Sequence, residues 1–232
     1  VINTDISQLK DNKLEETQVE NTQKKPDEQS GIYVRGHIKI FDPESGTVYI
    51  DKPNAIHYEN FSKALASSVA NKGQNFIYEM NFGNGGTSVD TTGIITYLPT
   101  NTTGQGSSLY NPTYTKVIDN TAVDNADPAN NKMTVSHIPG TIYTDILVSC
   151  LLDYGEPNGQ DYFDVSQNLN NEFVFDELGL RGRSIDGTSG LTSTGLLLTH
   201  VVFHPVQKAL NRLIQIDYTV RIQTLTNLSS QV

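Results

Sequence analysis

Gly83-Asn84-Gly85-Gly86-Thr87 is the segment best suited to approach an anion, because clustered glycines let backbone N–H groups converge on a phosphate. A nucleotide cradle would continue into Lys-Ser/Thr and a helix, whereas Ser88, Val89 and Asp90 follow here and lead toward another strand. The spacing therefore predicts a tight turn or bulge. Metal chemistry would fall to His37, His57, His137, His200 and His204. His200 and His204 have the four-residue spacing of helical zinc ligands, but Leu197–Pro205 reads as a strand, on which four residues separate side chains by about 13 Å. Asp119, Asp124 and Asp127 place three carboxylates in one loop. They lack the alternate-position spacing of a calcium loop, and the Asn-rich, Pro128-containing surroundings suit a solvated connection.

Acid–base hydrolysis would need paired carboxylates, and Asp161 with Asp164 or Asp176 with Glu177 are the candidates. Neighbours on a regular strand point to opposite faces, so Asp176 and Glu177 are not expected to face one substrate together. No serine sits in a Gly-x-Ser-x-Gly elbow, and Cys150, within Ile146–Leu152, reads as a buried, inert thiol. No catalytic residue, cofactor or metal is expected, and the chain reads as a non-enzyme.

The elements that would position these residues are mostly strands. Ile32, Val34, Ile38 and Ile40 alternate with polar residues, Asp42-Pro43-Glu44-Ser45-Gly46 carries turn chemistry, and Val48 and Ile50 resume the alternation, which predicts a hairpin. Phe61, Leu65 and Val69 recur at four-residue spacing and predict one helix, with Gly73 as its C-cap. Further strands are expected at Phe76–Phe82, Ile94–Leu98, Tyr114–Ile118, Met133–Ile138, Ile142–Leu152, Phe173–Phe175, Leu196–Phe203 and Leu213–Ile222. The expected fold is mainly β: an antiparallel, jelly-roll-like β-sandwich of residues 31–232 with one inserted helix. Long loops are expected at 99–111, 119–131 and 181–194.

Residues 1–30 differ from the rest. They hold seven acids and four lysines but no aromatic residue, a composition that cannot bury enough apolar surface to offset chain entropy. Their apolar residues are Val1, Ile2, Ile6, Leu9, Leu14 and Val19, of which Ile2, Ile6 and Leu9 share one helical face. Against the reading of a floppy tail, we expect an extended N-terminal arm that a neighbouring subunit orders, with Ile2, Ile6, Leu9, Leu14 and Val19 as its partner-binding residues. Across all 232 residues the net charge is −10, which disfavours a phosphate-tracking nucleic-acid binder. No apolar run approaches the ~18 residues of a membrane helix, one cysteine allows no internal disulfide, and Val1–Asp5 lacks the features of an export signal. Neither nucleic acid nor membrane is an expected partner.

Three stretches in order, Phe173–Leu180 (FVFDELGL), Gly195–Phe203 (GLLLTHVVF) and Ile214–Val220 (IQIDYTV), together with Asn54–Phe61, Phe82–Thr87 and Leu109–Asn111, carry a family likeness. The chain resembles structural proteins of tailed bacteriophages, in particular contractile-tailed, cyanophage-like ones, from about Gly31 to Leu225. The resemblance implies a virion structural protein assembled in the cytoplasm of a bacterial host, a homo-oligomer whose partners are capsid, neck or tail subunits. Capsid decoration or the head–tail collar is the leading expectation. A tail, baseplate or fibre β-domain that binds a receptor or glycan is the alternative.

Overall fold

The structure is a computed structural model that describes residues 30–72, 75–158, 172–183 and 194–226. Residues Gly31–Leu225 form one compact unit. The first two strands, β1 (Ser30–Phe41) and β2 (Val48–Ile56), make the expected hairpin. Asp42 closes its turn by accepting the N–H groups of Glu44 and Ser45 at 2.8 and 3.1 Å, the side-chain mimicry of a backbone turn that favours Asp there.

Helix α1 (Tyr58–Val69) follows directly, N-capped by His57, whose ring accepts the Asn60 N–H. At its other end Asn71 takes φ +52°, while Lys72 N–H reaches back to Ser67 O at 2.8 Å. Asparagine tolerates this left-handed conformation and ends the helix two residues before the expected Gly73, which lies outside the described residues.

The remaining strands are β3 (Ile77–Gly83), β4 (Thr87–Val89), β5 (Ile95–Tyr97), β6 (Pro112–Val117), β7 (Lys132–His137), β8 (Tyr143–Leu152), β9 (Glu172–Gly182), β10 (Thr199–Ala209) and β11 (Ile214–Thr226). The fold is mainly β with a single helix among the described residues. Nine strands form one sheet in the order β6-β3-β9-β10-β2-β1-β11-β8-β7, and β4 with β5 forms a separate small hairpin. The large sheet curls into two layers. Its joint is narrow, since β10 meets β2 through only Thr199↔Ile56 and His200↔Ala55. The curl brings β6, one edge of the sheet, against β8 near the other edge, where Lys116 Nζ donates to Leu151 O.

The inner faces pack Ile38 and Ile40 of β1, Cys150 and Leu152 of β8, and Ile216, Tyr218 and Val220 of β11 with Met80, Phe82, Phe173 and Phe175 from the other layer. Phe82, Phe175 and Phe203 meet edge-to-face at ring separations of 5.3 and 5.8 Å, a geometry that the aromatic quadrupole favours.

Several strands run further than expected, β11 to Thr226 among them, and two of the extensions share a cause. β9 continues from Phe175 to Gly182, and β10 continues through Pro205 to Ala209. Both extensions pass through one irregularity. Val202 of β10 pairs with Glu177 but Val206 pairs with Phe175, so β10 carries two extra residues there, and Pro205 occupies a position where no ladder N–H is needed.

Candidate functional site

The same irregularity reverses the alternation of β9. Phe173 and Phe175 face the core, but so do Leu178 and Leu180. An odd step of three between Phe175 and Leu178 places Asp176 and Glu177 together on the side away from the core, which overturns the expectation that regular alternation would separate them. The pattern F-x-F-x-x-L-x-L was present in the sequence as a spacing of two, three, two.

Both carboxylates turn to the glycine-rich segment between β3 and β4. Asp176 Oδ1 accepts Gly86 N–H at 2.9 Å, and Oδ2 accepts Thr87 N–H at 2.8 Å together with the Thr87 hydroxyl. Glu177 Oε1 accepts Gly85 N–H at 3.2 Å and Asn111 N–H at 2.8 Å, and Oε2 accepts Tyr110 N–H at 2.9 Å. The expected bulge-like turn therefore does surround anions, and they are the carboxylates of the chain's own β9. The approach is close: a Cβ on Gly83 would lie 2.4 Å from Glu177 Oε1 and 2.7 Å from Asn111 O, so this position accepts only glycine.

His200 extends the network. Its Nε2 lies 3.0 Å from Glu177 Oε2, and its Nδ1 lies 2.7 Å from the Asn101 backbone N–H. A backbone N–H can only donate, so Nδ1 is the acceptor and the proton sits on Nε2, directed at the carboxylate. His57 repeats the arrangement: Nδ1 accepts the Asn60 N–H and Nε2 donates to Gly104 O at 2.9 Å. Asn60 in turn donates to Leu197 O at 2.9 Å. His57, Asn60, Glu177 and His200 are fully buried.

The neighbouring acids are pushed in opposite directions. Burial raises the Asp176 carboxyl above its ordinary range and outweighs the hydrogen bonds from Thr87 and Gly86. Burial also acts on Glu177, but the bonds from His200, Asn111 and Tyr110 together outweigh it and hold that carboxyl below its ordinary range. Split acidities can mark an acid–base pair. Here every carboxylate oxygen of both acids already accepts from N–H or O–H groups of the protein itself, and the His200 lone pair is taken by Asn101. The chemistry this arrangement supports is fastening: a buried polar spine ties residues 83–87 and the long loop 99–111 to the sheet.

The other singled-out residues do not join it. His204 is exposed and lies 3.3 Å from the Tyr97 hydroxyl. His37 faces Asp51 at 3.0 Å on the surface, and His137 contacts Thr144. Asp119 accepts the N–H and hydroxyl of Thr121, Asp124 accepts the Tyr78 hydroxyl at 2.6 Å, and Asp127 accepts from Asn130. Asp119 and Asp127 thus shape their own turns while Asp124 ties the loop to β3, and no group of three or more potential metal ligands converges among the described residues. Cys150 is completely buried, and burial pushes its thiol up to about 12. Asp161, Asp164 and the arm residues Ile2, Ile6, Leu9, Leu14 and Val19 lie outside the described residues.

Sequence reasoning singled out Glu177 and His200 but missed their pairing, and it missed Asn60 and the capping role of His57 altogether. The cap is local, three residues from His57 to Asn60, but no local signal marks the other bonds, whose partners lie 23 to 137 positions away. No known protein family matches this chain, and no curated protein or solved structure matches it either.

Proposed function

We propose that this chain is a non-enzymatic structural subunit of a bacteriophage virion, present in many copies on the capsid surface or at the head–tail collar, with residues 1–30 clamping neighbouring subunits. The observation that carries this reading is the polar spine. His57, Asn60, Asp176, Glu177 and His200 are the groups an enzyme would turn toward a substrate, and here they are bonded inward to the protein's own backbone. Their effect is to hold an Asn- and Thr-rich loop surface in one shape, and a pre-formed surface lowers the entropic cost of repeated subunit contacts. The resemblance to tailed-phage structural proteins supplies the setting. The test is a density map of the intact particle, in which this chain should occupy repeated positions at the capsid surface or collar. Absence from purified particles would refute the reading.

A second reading, a tail or fibre β-domain that binds a receptor or glycan, draws on a different feature. A groove of about 810 Å³ runs beside the fastened loop and is lined by Tyr33, Tyr58, Arg35, His37 and Thr102, which could offer stacking faces and hydrogen bonds to a sugar. Arm deletion separates the two readings. A truncation of residues 1–30 should abolish incorporation of a clamp subunit, while a fibre domain would still bind its receptor.

A further inference from the structure

The core does not close at one end. A cleft of about 440 Å³ lies between Phe61 and Leu65 of α1 and the wall formed by Met133 and Val135 of β7, Ile146 of β8 and Ile222 of β11. Val135 pairs directly with Ile146, and Met133 with Val148, so this wall continues the inner face of the sheet. Val148 is 2% exposed, whereas Val135 is 75% exposed. The inner face therefore runs out past the point where the second layer covers it. Exposed apolar surface of this kind marks a docking site more often than a chance feature.

The chain carries a segment of matching chemistry. Ile2, Ile6 and Leu9 are spaced so that a helix would gather them in one apolar stripe, the rest of residues 1–29 is strongly polar, and between Ile2 and Leu9 the sole charge is Asp5. The twenty residues from 10 to 29 include ten charged ones and suit a solvated tether. Extended, they span up to roughly 65 Å. A unit of the size of Gly31–Leu225 has a radius of gyration of about 16 Å, so the tether outreaches the domain it leaves.

We infer that the cleft between α1 and the β7–β8–β11 wall receives the Ile2–Leu9 segment of a second copy of this chain. The inference rests on the multi-copy reading above and gives its clamp a receptor. Three aliphatic side chains fill an apolar cleft, and the tether spans the distance between copies.

Full-length chains carrying Ile6→Cys and Val135→Cys separately, mixed and oxidised, test it. Cys150 is buried and stays silent. The expected product is a covalent dimer whose linked peptides join positions 6 and 135, since a disulfide requires the two Cα atoms to come within about 7 Å. Pairing Ile6→Cys with Leu147→Cys, on the opposite face of β8, should give at least about tenfold less. A Leu9→Cys chain provides a second reporter should Ile6→Cys itself weaken docking. Equal yield at Val135 and Leu147, or no heterodimer with either reporter, overturns the inference. A link that forms only within one chain carrying both cysteines overturns the second-copy assignment. The multi-copy reading fails separately, by absence of the protein from particles.

Discussion

The imidazole of His200 and the carboxylate of Glu177 face each other at 3.0 Å, and neither side chain has any exposure to solvent. The contact is a neutral ring donating to an ionised acid, because the Asn101 N–H holds the other ring nitrogen as an acceptor. Glu177 thereby receives four donors, and its removal would deprive all of them of their acceptor, the buried His200 Nε2–H above all.

Glu177→Gln keeps the shape but turns an NH₂ toward two donors, the Tyr110 N–H and the His200 Nε2–H. Leaving buried donors unpaired costs about 2–4 kcal/mol. Urea unfolding should show that loss, and protease nicking within 99–111 should accelerate as the loop comes free. A variant as stable as the parent chain would mean that the spine fastens nothing.

The two acids should leave opposite marks on stability as a function of pH. Glu177 has a folded-state acidity below the ordinary 4.5, so its contribution is present above 4.5 and lost as pH falls through the lower folded value. Asp176 is raised above the ordinary 3.8, so its contribution is full below 3.8 and lost as pH rises through the higher folded value. The stability gap between the parent chain and Glu177→Gln should widen as pH rises across the acid range. For Asp176→Asn the gap should narrow. Denaturant titrations at a series of pH values between 3 and 7 read both slopes, and parallel slopes would contradict the assignment.

Gly179 of β9 has no room for a side chain beside the start of β10. A Cβ there would sit 2.6 Å from the Thr199 carbonyl oxygen and 2.7 Å from Leu197 Cδ1. The carbonyl belongs to the strand backbone and cannot swing aside, so Gly179→Ala should cost about 1–3 kcal/mol. Gly106→Ala, with no heavy atom within 4 Å of the added Cβ, is the control expected to change little.

Cys150 should be unreactive in the folded protein. A thiol displaced from the ordinary 9.0 to about 12 carries about a thousandfold less thiolate at neutral pH, and the side chain is enclosed as well. An aromatic disulfide reagent should label nothing in buffer and one thiol per chain in denaturant. The labelling rate at intermediate denaturant should follow the unfolded fraction.

Most of the framework was legible locally. The alternation of Ile214, Ile216, Tyr218 and Val220 placed four residues on the inner face of β11, and four-residue spacing found α1, because each pattern repeats with the period of the element that contains it. β4 escaped because Thr87-Ser88-Val89 holds a single apolar residue and so shows no period, whereas the equally short β5 sits within the apolar run Ile94–Leu98. The full length of β9 escaped because the step from Phe175 to Leu178 breaks the period inside the strand. Asn71 took the role expected of Gly73 because asparagine also enters the left-handed region.

By itself the sequence determined a β-rich domain, the helix within its described residues, much of its core and the different, polar composition of residues 1–30, since these follow from local periodicity and from residue types. Only the tertiary structure decided that Asp176 and Glu177 share a side, that His200 binds one of them, and that both hold loops up to 92 positions away in the chain. The physical reason is that a buried polar group must find its partner wherever the fold brings one. That partner is chosen by a two-residue bulge and a loop closure, and neither leaves a periodic trace.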